Sequence, residues 1–155
     1  MYQRILVPVD GSETAAAGLA EAIRLGRLTV ATLRLVHVVD LRPYAGGYDT
    51  SIGYTGDVIE VMRESGQAIL KAAGTQVQAA GLTLESQLLE TFSARACDLI
   101  VDEATACGAD LIVIGTHGRR GVSRLVLGSD AEQVLRQSPV PVLLVRNKPE
   151  AKPTS

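Results

Sequence analysis

Aromatic residues are scarce in this sequence: tryptophan is absent, and one phenylalanine and four tyrosines occur among 155 residues. The apolar content comes mainly from alanine, valine and leucine, which is typical of a parallel sheet covered by alanine-rich helices. No run of about eighteen apolar residues occurs, so no transmembrane helix and no membrane partner are predicted. The first residues lead directly into an apolar strand without the layout of a signal peptide, and a cytoplasmic protein is expected.

An excess of positive charge and a cysteine framework are also missing. The formal net charge of −2 argues against a nucleic-acid partner, because a general nucleic-acid binder presents a basic surface. Only two cysteines occur, Cys97 and Cys107, and both fall in one predicted helix. At about 100° per residue they point to different faces, so no bridge is expected, and Cys97 is predicted to be a small core residue.

Apolar strands alternate with amphipathic helices along the chain. Strands are predicted over 4–9, 32–39, 82–88, 111–115 and 140–145, and helices over 13–26, 57–80, 93–107 and 129–137. This order predicts an α/β fold: one domain over residues 1–147 with a single doubly wound, parallel five-stranded sheet and helices on both faces. Residues 148–155 are predicted to be a disordered tail. The loop from about Leu41 to Gly56, which holds three tyrosines, is either a lid or a surface loop.

The segment after the fourth predicted strand is rich in glycine and arginine. In order it contains Gly115, Gly118, Arg119, Arg120, Gly121, Arg124 and Gly128, before a helix predicted to begin at Ser129. A strand, a glycine loop and a helix N-terminus together are how α/β proteins hold phosphate, because backbone N–H groups can approach the oxygens closely. Neither the Walker pattern nor Gly-x-Gly-x-x-Gly occurs, so those two nucleotide fingerprints are not supported.

Asp10 follows the first predicted strand, just before a helix that Ser12 is placed to cap. Asp10 is either a turn residue that hydrogen-bonds its own backbone or a carboxylate that binds ribose hydroxyls. The inner face of the helix is predicted to consist of Ala16, Leu19, Ala20 and Ile23. His37, at the end of the second strand, is predicted to be structural.

The spacing Gly115-x-x-Gly118, then nine residues, then Gly128-Ser129, resembles the nucleotide-binding signature of the universal stress protein family. Similar segments extend the resemblance over nearly the whole chain: Ile5–Ser12, His37–Asp40 and Pro141–Val145. The resemblance implies a Rossmann-like sheet of strand order 3-2-1-4-5. Ligands bind such sheets where the order reverses, which is between strands 1 and 4, at Asp10 and Gly115.

Resemblance to the ATP-binding branch of the family implies a set of nucleotide-binding residues: Pro8, Val9, Asp10, Val38, Ile114, Gly115, Thr116, His117, Gly118, Arg119, Gly128, Ser129 and Asp130. Adenine would lie against Pro8, Val38 and Ile114. The ribose would be held by Asp10 and the Gly115 backbone, and the phosphates by N–H groups of the loop and of the following helix. Mg²⁺ would be carried by the phosphates and water, so no metal ligands are expected in the protein.

Two features of the last helix leave alternatives open. Residues 129–132 also read as a capping box, in which Ser129 and Glu132 satisfy the helix's own N–H groups. Asp130 departs from the uncharged residue that the resemblance leads us to expect. It would weaken triphosphate binding, favour AMP or ADP, or point away from the ligand without effect.

The expected function is that of a dimeric, adenine-nucleotide-binding regulator in the stress response, acting on an unidentified protein partner. The apolar edge strand Val140–Val145 is predicted to pair with a second copy, because soluble proteins seldom leave such an edge open. Asp10 and His117 are the plausible proton-transfer groups near the site, so at most slow ATP hydrolysis is expected. The alternatives are a slow ATPase or self-phosphorylating protein, and an interaction module of the same fold that binds no nucleotide.

Overall fold

The computed structural model describes residues 1–46, 55–116 and 127–147. Its strands are β1 (Arg4–Pro8), β2 (Thr32–Asp40), β3 (Leu84–Thr91), β4 (Leu111–Gly115) and β5 (Val142–Val145). Its helices are α1 (Glu13–Thr29), α2 (Thr55–Ala79), α3 (Ala96–Ala106) and α4 (Ser129–Gln137), with a short 3₁₀ turn at Arg42–Tyr44. All neighbouring strands pair in parallel, in the order β3-β2-β1-β4-β5. The predicted fold class and strand order are confirmed, whereas the predicted tail lies outside the described residues.

Two apolar layers hold the sheet between its helices. On β1, Ile5 and Val7 face the layer packed against α1 and α2, whereas Leu6 faces the layer packed against α3 and α4. This division follows from the period of two in a strand, which sends successive side chains to opposite faces. Because both faces of the sheet are covered, the central strands are apolar along nearly their whole length.

Three element boundaries differ from the sequence prediction by three residues. The first is the end of α1, which lies at Thr29 rather than at about Gly26. β3 runs to Thr91, and α3 begins at Ala96 rather than at Ser93. The reason is a side-chain turn: Thr91 Oγ1 accepts hydrogen bonds from the backbone N of Ser93 at 3.2 Å and of Ala94 at 2.8 Å. A hydroxyl that binds nearby backbone groups competes with the helix and delays its start.

The buried face of α1 is rotated from the predicted one. Leu19 is buried as predicted, but Ala16 and Ala20 are exposed, and Gly18 and Ala22 lie against the sheet instead. The predicted set followed apolar residue type, whereas the helix contacts β4 through its glycine.

Close contact between α1 and the end of β4 requires glycine at two positions. A Cβ added to Gly18 would lie 3.2 Å from the Gly115 backbone N. A Cβ added to Gly115 would overlap the Thr14 carbonyl oxygen and lie 2.6 Å from its carbonyl carbon. Gly115 therefore has a packing role in addition to any role with a ligand, because it allows the first turn of α1 to rest on the strand.

Within residues 1–46, 55–116 and 127–147, no helix is both long enough and apolar enough to cross a bilayer.

Candidate functional site

The carboxyl ends of β1 and β4 form the switch point of the sheet. In the register, Ile5 of β1 is opposite Leu111 of β4, and Leu6 is opposite Ile112. Continued along both strands, this register places the residues after β1 beside those after β4. The structure thus brings Asp10 and Gly115 to the same edge of the sheet, although about a hundred residues separate them in sequence. In doubly wound folds this is where ligands bind.

The residues predicted to contact adenine share one face of the sheet. Val38 and Ile114 belong to the layer covered by α3 and α4. Pro8 alternates with Val7 along β1 and therefore lies on this face too. Val9 does not: its side chain is 5% exposed and packs in the opposite layer, against α1 and α2. The structure thus keeps the Val9 side chain away from the predicted adenine position.

The N-terminus of α1, on one side of the switch point, is capped by the side chain of Ser12, and the turn before it is stabilised by the side chain of Asp10. Ser12 Oγ accepts a hydrogen bond from the Ala15 backbone N at 3.1 Å, which confirms the predicted cap. Asp10 Oδ1 accepts one from the Ser12 backbone N at 2.9 Å. Asp10 therefore has the turn geometry of the first interpretation, and its contact with ribose stays a prediction.

The N-terminus of α4, on the other side, has no side-chain cap. Its N-cap residue is Gly128, and Ser129 is the first helical residue, so the predicted capping box is wrong. A Ser can close that box only from the N-cap position, one residue earlier. Glu132 instead pairs with Arg136, whose Nη2 lies 3.0 Å from Oε1. The Ser129 hydroxyl therefore has no role in capping.

Three backbone donors at this helix end lack a partner within the described part of the chain: the N–H groups of Ser129, Asp130 and Ala131. The first-turn N–H groups of a helix point outward along its axis and carry its positive partial charge. An uncapped start of this kind is a ready site for an anion.

Thr116 joins β4 to the start of α4. Its backbone N donates to the Val145 oxygen at 3.0 Å, and its carbonyl oxygen accepts from the Gly128 backbone N at 2.6 Å. The side chain is 6% exposed, and Oγ1 has no hydrogen-bond partner in the described ranges. Leaving a buried hydroxyl without a hydrogen bond costs about 1–3 kcal/mol of folding free energy. A hydrogen bond to a bound ligand or to a water molecule would remove that penalty.

Three of the predicted binding residues, His117, Gly118 and Arg119, lie outside the described residues. So do Arg120 and Arg124, and so does the part of the tyrosine-rich loop from 47 to 54. The structure brings together the other predicted groups at the switch point: the ends of β1 and β4, the face containing Val38, and the start of α4.

Arg42 is a charged residue at this edge that the sequence reasoning missed. Its Nε lies 2.8 Å from Asp40 Oδ1, and this hydrogen-bonded pair holds the pKa of Asp40 below its ordinary value. The same hydrogen bond raises the pKa of Arg42, and the Asp130 carboxylate raises it further. Its position directly after the second strand was the signal that could have found it.

Two other groups near the site are structural. His37 is 7% exposed, and its Nδ1 lies 2.7 Å from the Val9 carbonyl oxygen, as expected for a histidine fixed within the fold. Gly66 of α2 leaves room for the ring, because a Cβ there would lie 2.7 Å from His37 Cδ2. Cys97 is 1% exposed, and burial raises the pKa of its thiol, so it is the core residue that was predicted.

No cluster of three or more His, Cys, Asp or Glu side chains that could hold a metal ion occurs within residues 1–46, 55–116 and 127–147.

Comparison with known proteins agrees with this geometry. A sequence model of the universal stress protein family matches residues 1–146. A universal stress protein of Methanocaldococcus jannaschii is 33% identical over 146 residues, covering 94% of this chain and 83% of that protein. A putative universal stress protein of Staphylococcus haemolyticus is 32% identical over 149 residues, covering 95% of this chain and 86% of that protein.

Solved structures share the fold, and two of the three described here are complexes with a nucleotide. The hypothetical protein MJ0577 superposes with a TM-score of 0.83 at 26% identity, covering 96% of this chain and 98% of that one. A universal stress protein of Archaeoglobus fulgidus in complex with dAMP gives 0.67 at 28% identity, covering 93% and 98%. A universal stress protein in complex with cAMP gives 0.65 at 25% identity, covering 94% and 97%.

The strand order defines a doubly wound α/β protein, and the start of α4 lies at the carboxyl edge of its sheet, where proteins of this class bind their ligands. Because the family match spans residues 1–146, the chain belongs to the universal stress protein family.

Proposed function

We propose that this protein binds an adenine nucleotide at the switch point and acts as a dimeric, nucleotide-dependent regulator in the stress response. The observation that carries the proposal is the start of α4, which has no cap among the described residues and whose Gly128 N–H binds the Thr116 carbonyl oxygen. The Thr116 hydroxyl is buried and has no partner in the same ranges. Three open N–H groups and a buried hydroxyl offer hydrogen bonds to phosphate oxygens or to ribose. The related structures with dAMP and cAMP support an adenosine monophosphate unit as the common part of the ligand.

The orientation of the ligand follows from the two sides of the edge. The apolar face that contains Val38 and Ile114 suits an adenine ring, and the N-terminus of α4 suits the phosphate. Asp10, between them at the end of β1, is suited to the ribose hydroxyls. In this arrangement ATP, ADP and AMP would share the adenosine contacts and differ in what they place near α4. A magnesium ion would be held by the phosphates and by water.

Nucleotide release and titration test the binding. The purified protein is denatured, the released nucleotide is identified by mass spectrometry, and the emptied protein is titrated with AMP, ADP and ATP, with and without Mg²⁺. Gly128→Val is expected to abolish binding, because the added side chain would stand beside the open N–H groups. The backbone of Gly128, at φ −57° and ψ 147°, accepts a valine without strain.

Gly56→Val is the matched control, because nothing lies within 4 Å of a Cβ at that exposed position in α2. It should bind as the wild type does. If a folded wild type binds none of the three nucleotides at millimolar concentration, the proposal fails and the interaction module is left as the alternative. Turnover of ATP, measured in the same samples, distinguishes a slow ATPase from a protein that only binds nucleotide.

The proposed dimer is supported by the position of β5. Among the strands that the structure describes, β5 pairs with β4 alone and lies at the edge of the sheet, and each of its four residues is half-buried. An apolar edge strand with open backbone groups is a template for pairing with a second copy. Light scattering is expected to give about 33 kDa, twice the 16.3 kDa chain. A mass near 16.3 kDa at micromolar concentration would contradict the dimer.

A further inference from the structure

Asp130 places a carboxylate in the turn whose N–H groups are open. It is the second residue of α4 and is exposed. It forms no hydrogen bond or ion pair with any residue of the described ranges. Its charge therefore lies at the mouth of the site proposed for the phosphate, at the same helix end as the buried Thr116 hydroxyl that lacks a partner.

No charged side chain of the described ranges forms an ion pair with this carboxylate. Glu132, in the same turn, is neutralised by Arg136, whose Nε and Nη2 lie 3.2 and 3.0 Å from Oε1. The Asp130 carboxylate raises the pKa of Arg42, but Arg42 is hydrogen-bonded to Asp40 through its Nε and its backbone N. The two acidic residues of the first turn thus differ: Glu132 forms an ion pair with Arg136, and Asp130 forms none with any described residue.

We propose that Asp130 makes this site select adenosine monophosphate over adenosine triphosphate by charge. The inference rests on the proposed function, since it concerns the ligand of the same site. The open N–H groups attract the first phosphate, which is common to AMP, ADP and ATP. Each further phosphate adds negative charge near a fixed carboxylate, so repulsion grows with phosphate number. The helix terminus favours an anion, and Asp130 limits how much negative charge that anion can carry.

The test is calorimetric titration of AMP and ATP into the wild type, Asp130→Asn and Glu132→Gln at low salt without Mg²⁺. The wild type should bind AMP at least about tenfold more tightly than ATP. Asp130→Asn keeps the shape of the side chain and should narrow that ratio about fivefold or more, chiefly by tightening ATP. Glu132→Gln is the matched control: it removes one acidic charge from the same turn, but a charge that Arg136 already balances, and should change the ratio less than twofold.

A second measurement varies the salt concentration with the wild type. Raising the salt concentration from about 50 to about 500 mM shortens the screening length severalfold, so the preference of the wild type for AMP should shrink toward that of Asp130→Asn. The inference is overturned if AMP and ATP bind with a ratio that neither salt nor Asp130→Asn changes beyond twofold. The inference is also overturned if no adenine nucleotide binds to the wild type or to any variant. That result would contradict the proposed function as well, whereas an unchanged ratio would contradict the role of Asp130 alone.

Discussion

The two helix N-termini beside the switch point differ in how their first-turn N–H groups are satisfied. α1 begins after Ser12, whose hydroxyl accepts the Ala15 N–H, and Asp10 closes the preceding turn. α4 begins after Gly128, which has no side chain with which to do the same. Both termini carry the partial positive charge of a helix start. In the proposed function, the helix start without a side-chain cap is the one that binds the ligand, and the capped neighbour stabilises the fold.

The largest expected effect comes from the contact that holds the two termini together. Gly115→Ala would drive a Cβ into the backbone of Thr14, at the first turn of α1. Because backbone cannot move aside as a flexible side chain can, we expect a loss of about 1–3 kcal/mol or more in the free energy of unfolding. Urea denaturation followed by circular dichroism measures it.

Gly56→Ala is the control for that substitution, because a Cβ at Gly56 meets nothing within 4 Å. Alanine in place of an exposed helical glycine should stabilise the protein by about 0.4–1 kcal/mol. Equal stabilities of the Gly115→Ala protein and the wild type would show that α1 does not rest on β4 as described.

The next largest effect is expected from adding a side-chain cap to the start of α4. In Gly128→Asp the new carboxylate would accept the N–H groups of the first turn of α4 and add a negative charge. We expect the affinity for AMP to fall at least about tenfold, while the free energy of unfolding rises by a few tenths of a kcal/mol. Calorimetric titration and thermal denaturation give the two quantities.

Gly128→Ala separates capping from simple bulk, because its methyl group cannot accept a hydrogen bond. It should bind AMP more tightly than Gly128→Asp does and should be slightly less stable than the wild type. Undiminished AMP affinity in Gly128→Asp would mean that the nucleotide does not use the N–H groups of α4.

The converse change removes the side-chain cap from the start of α1. Ser12→Ala removes the acceptor of the Ala15 N–H and should cost about 1 kcal/mol, within the range of about 0.5–2 kcal/mol for such caps. For a chain of this size, that loss lowers the melting temperature by about 2–4 °C. AMP affinity should stay within twofold, because this helix start is structural. Ser12→Asp, which restores a capping oxygen, should recover the stability, and a tenfold loss of AMP affinity in Ser12→Ala would make α1 part of the site.

The smallest expected effect lies at the other end of α1. Val30 closes the helix in the left-handed region, at φ 56° and ψ 38°, where a β-branched side chain is strained. Val30→Gly should therefore stabilise the protein by about 0.5–1 kcal/mol, as measured by thermal denaturation. Leu28→Gly is the control: Leu28 is equally exposed but helical, so the same change should destabilise the protein by about 1 kcal/mol. Destabilisation by both changes would contradict the strain at Val30.

The order of strands and helices could be predicted from the sequence because it depends on local patterns. Apolar runs that end at Asp10, Asp40 and Gly115 marked three strand ends, and the cap at Ser12 marked a helix start. The family resemblance then supplied the strand order, which no local pattern contains. The start of α3 was wrong because the side-chain turn at Thr91 outweighed helix propensity.

The roles and positions of the groups at the site depended on tertiary structure. The sequence allowed Ser129 to be a cap or a phosphate donor, and only the position of Gly128 as N-cap removed the first role. Packing sent Val9 to the opposite layer from Ile114, although the two lie near each other at the switch point. Arg42 and Asp130, far apart in the chain, became electrostatic neighbours only after the sheet had formed.

By itself, the sequence determined the order and type of the elements and the family, because periodicity, caps and glycine spacing are properties of short segments. Tertiary structure decided which of the two helix starts has a side-chain cap among the described residues, which glycine is required for packing and which acidic residue of α4 forms an ion pair there. Those outcomes depend on distances between segments that the chain brings together only on folding. Gly115 shows both levels: it ends a strand in the sequence, and in the fold it makes room for the first turn of α1.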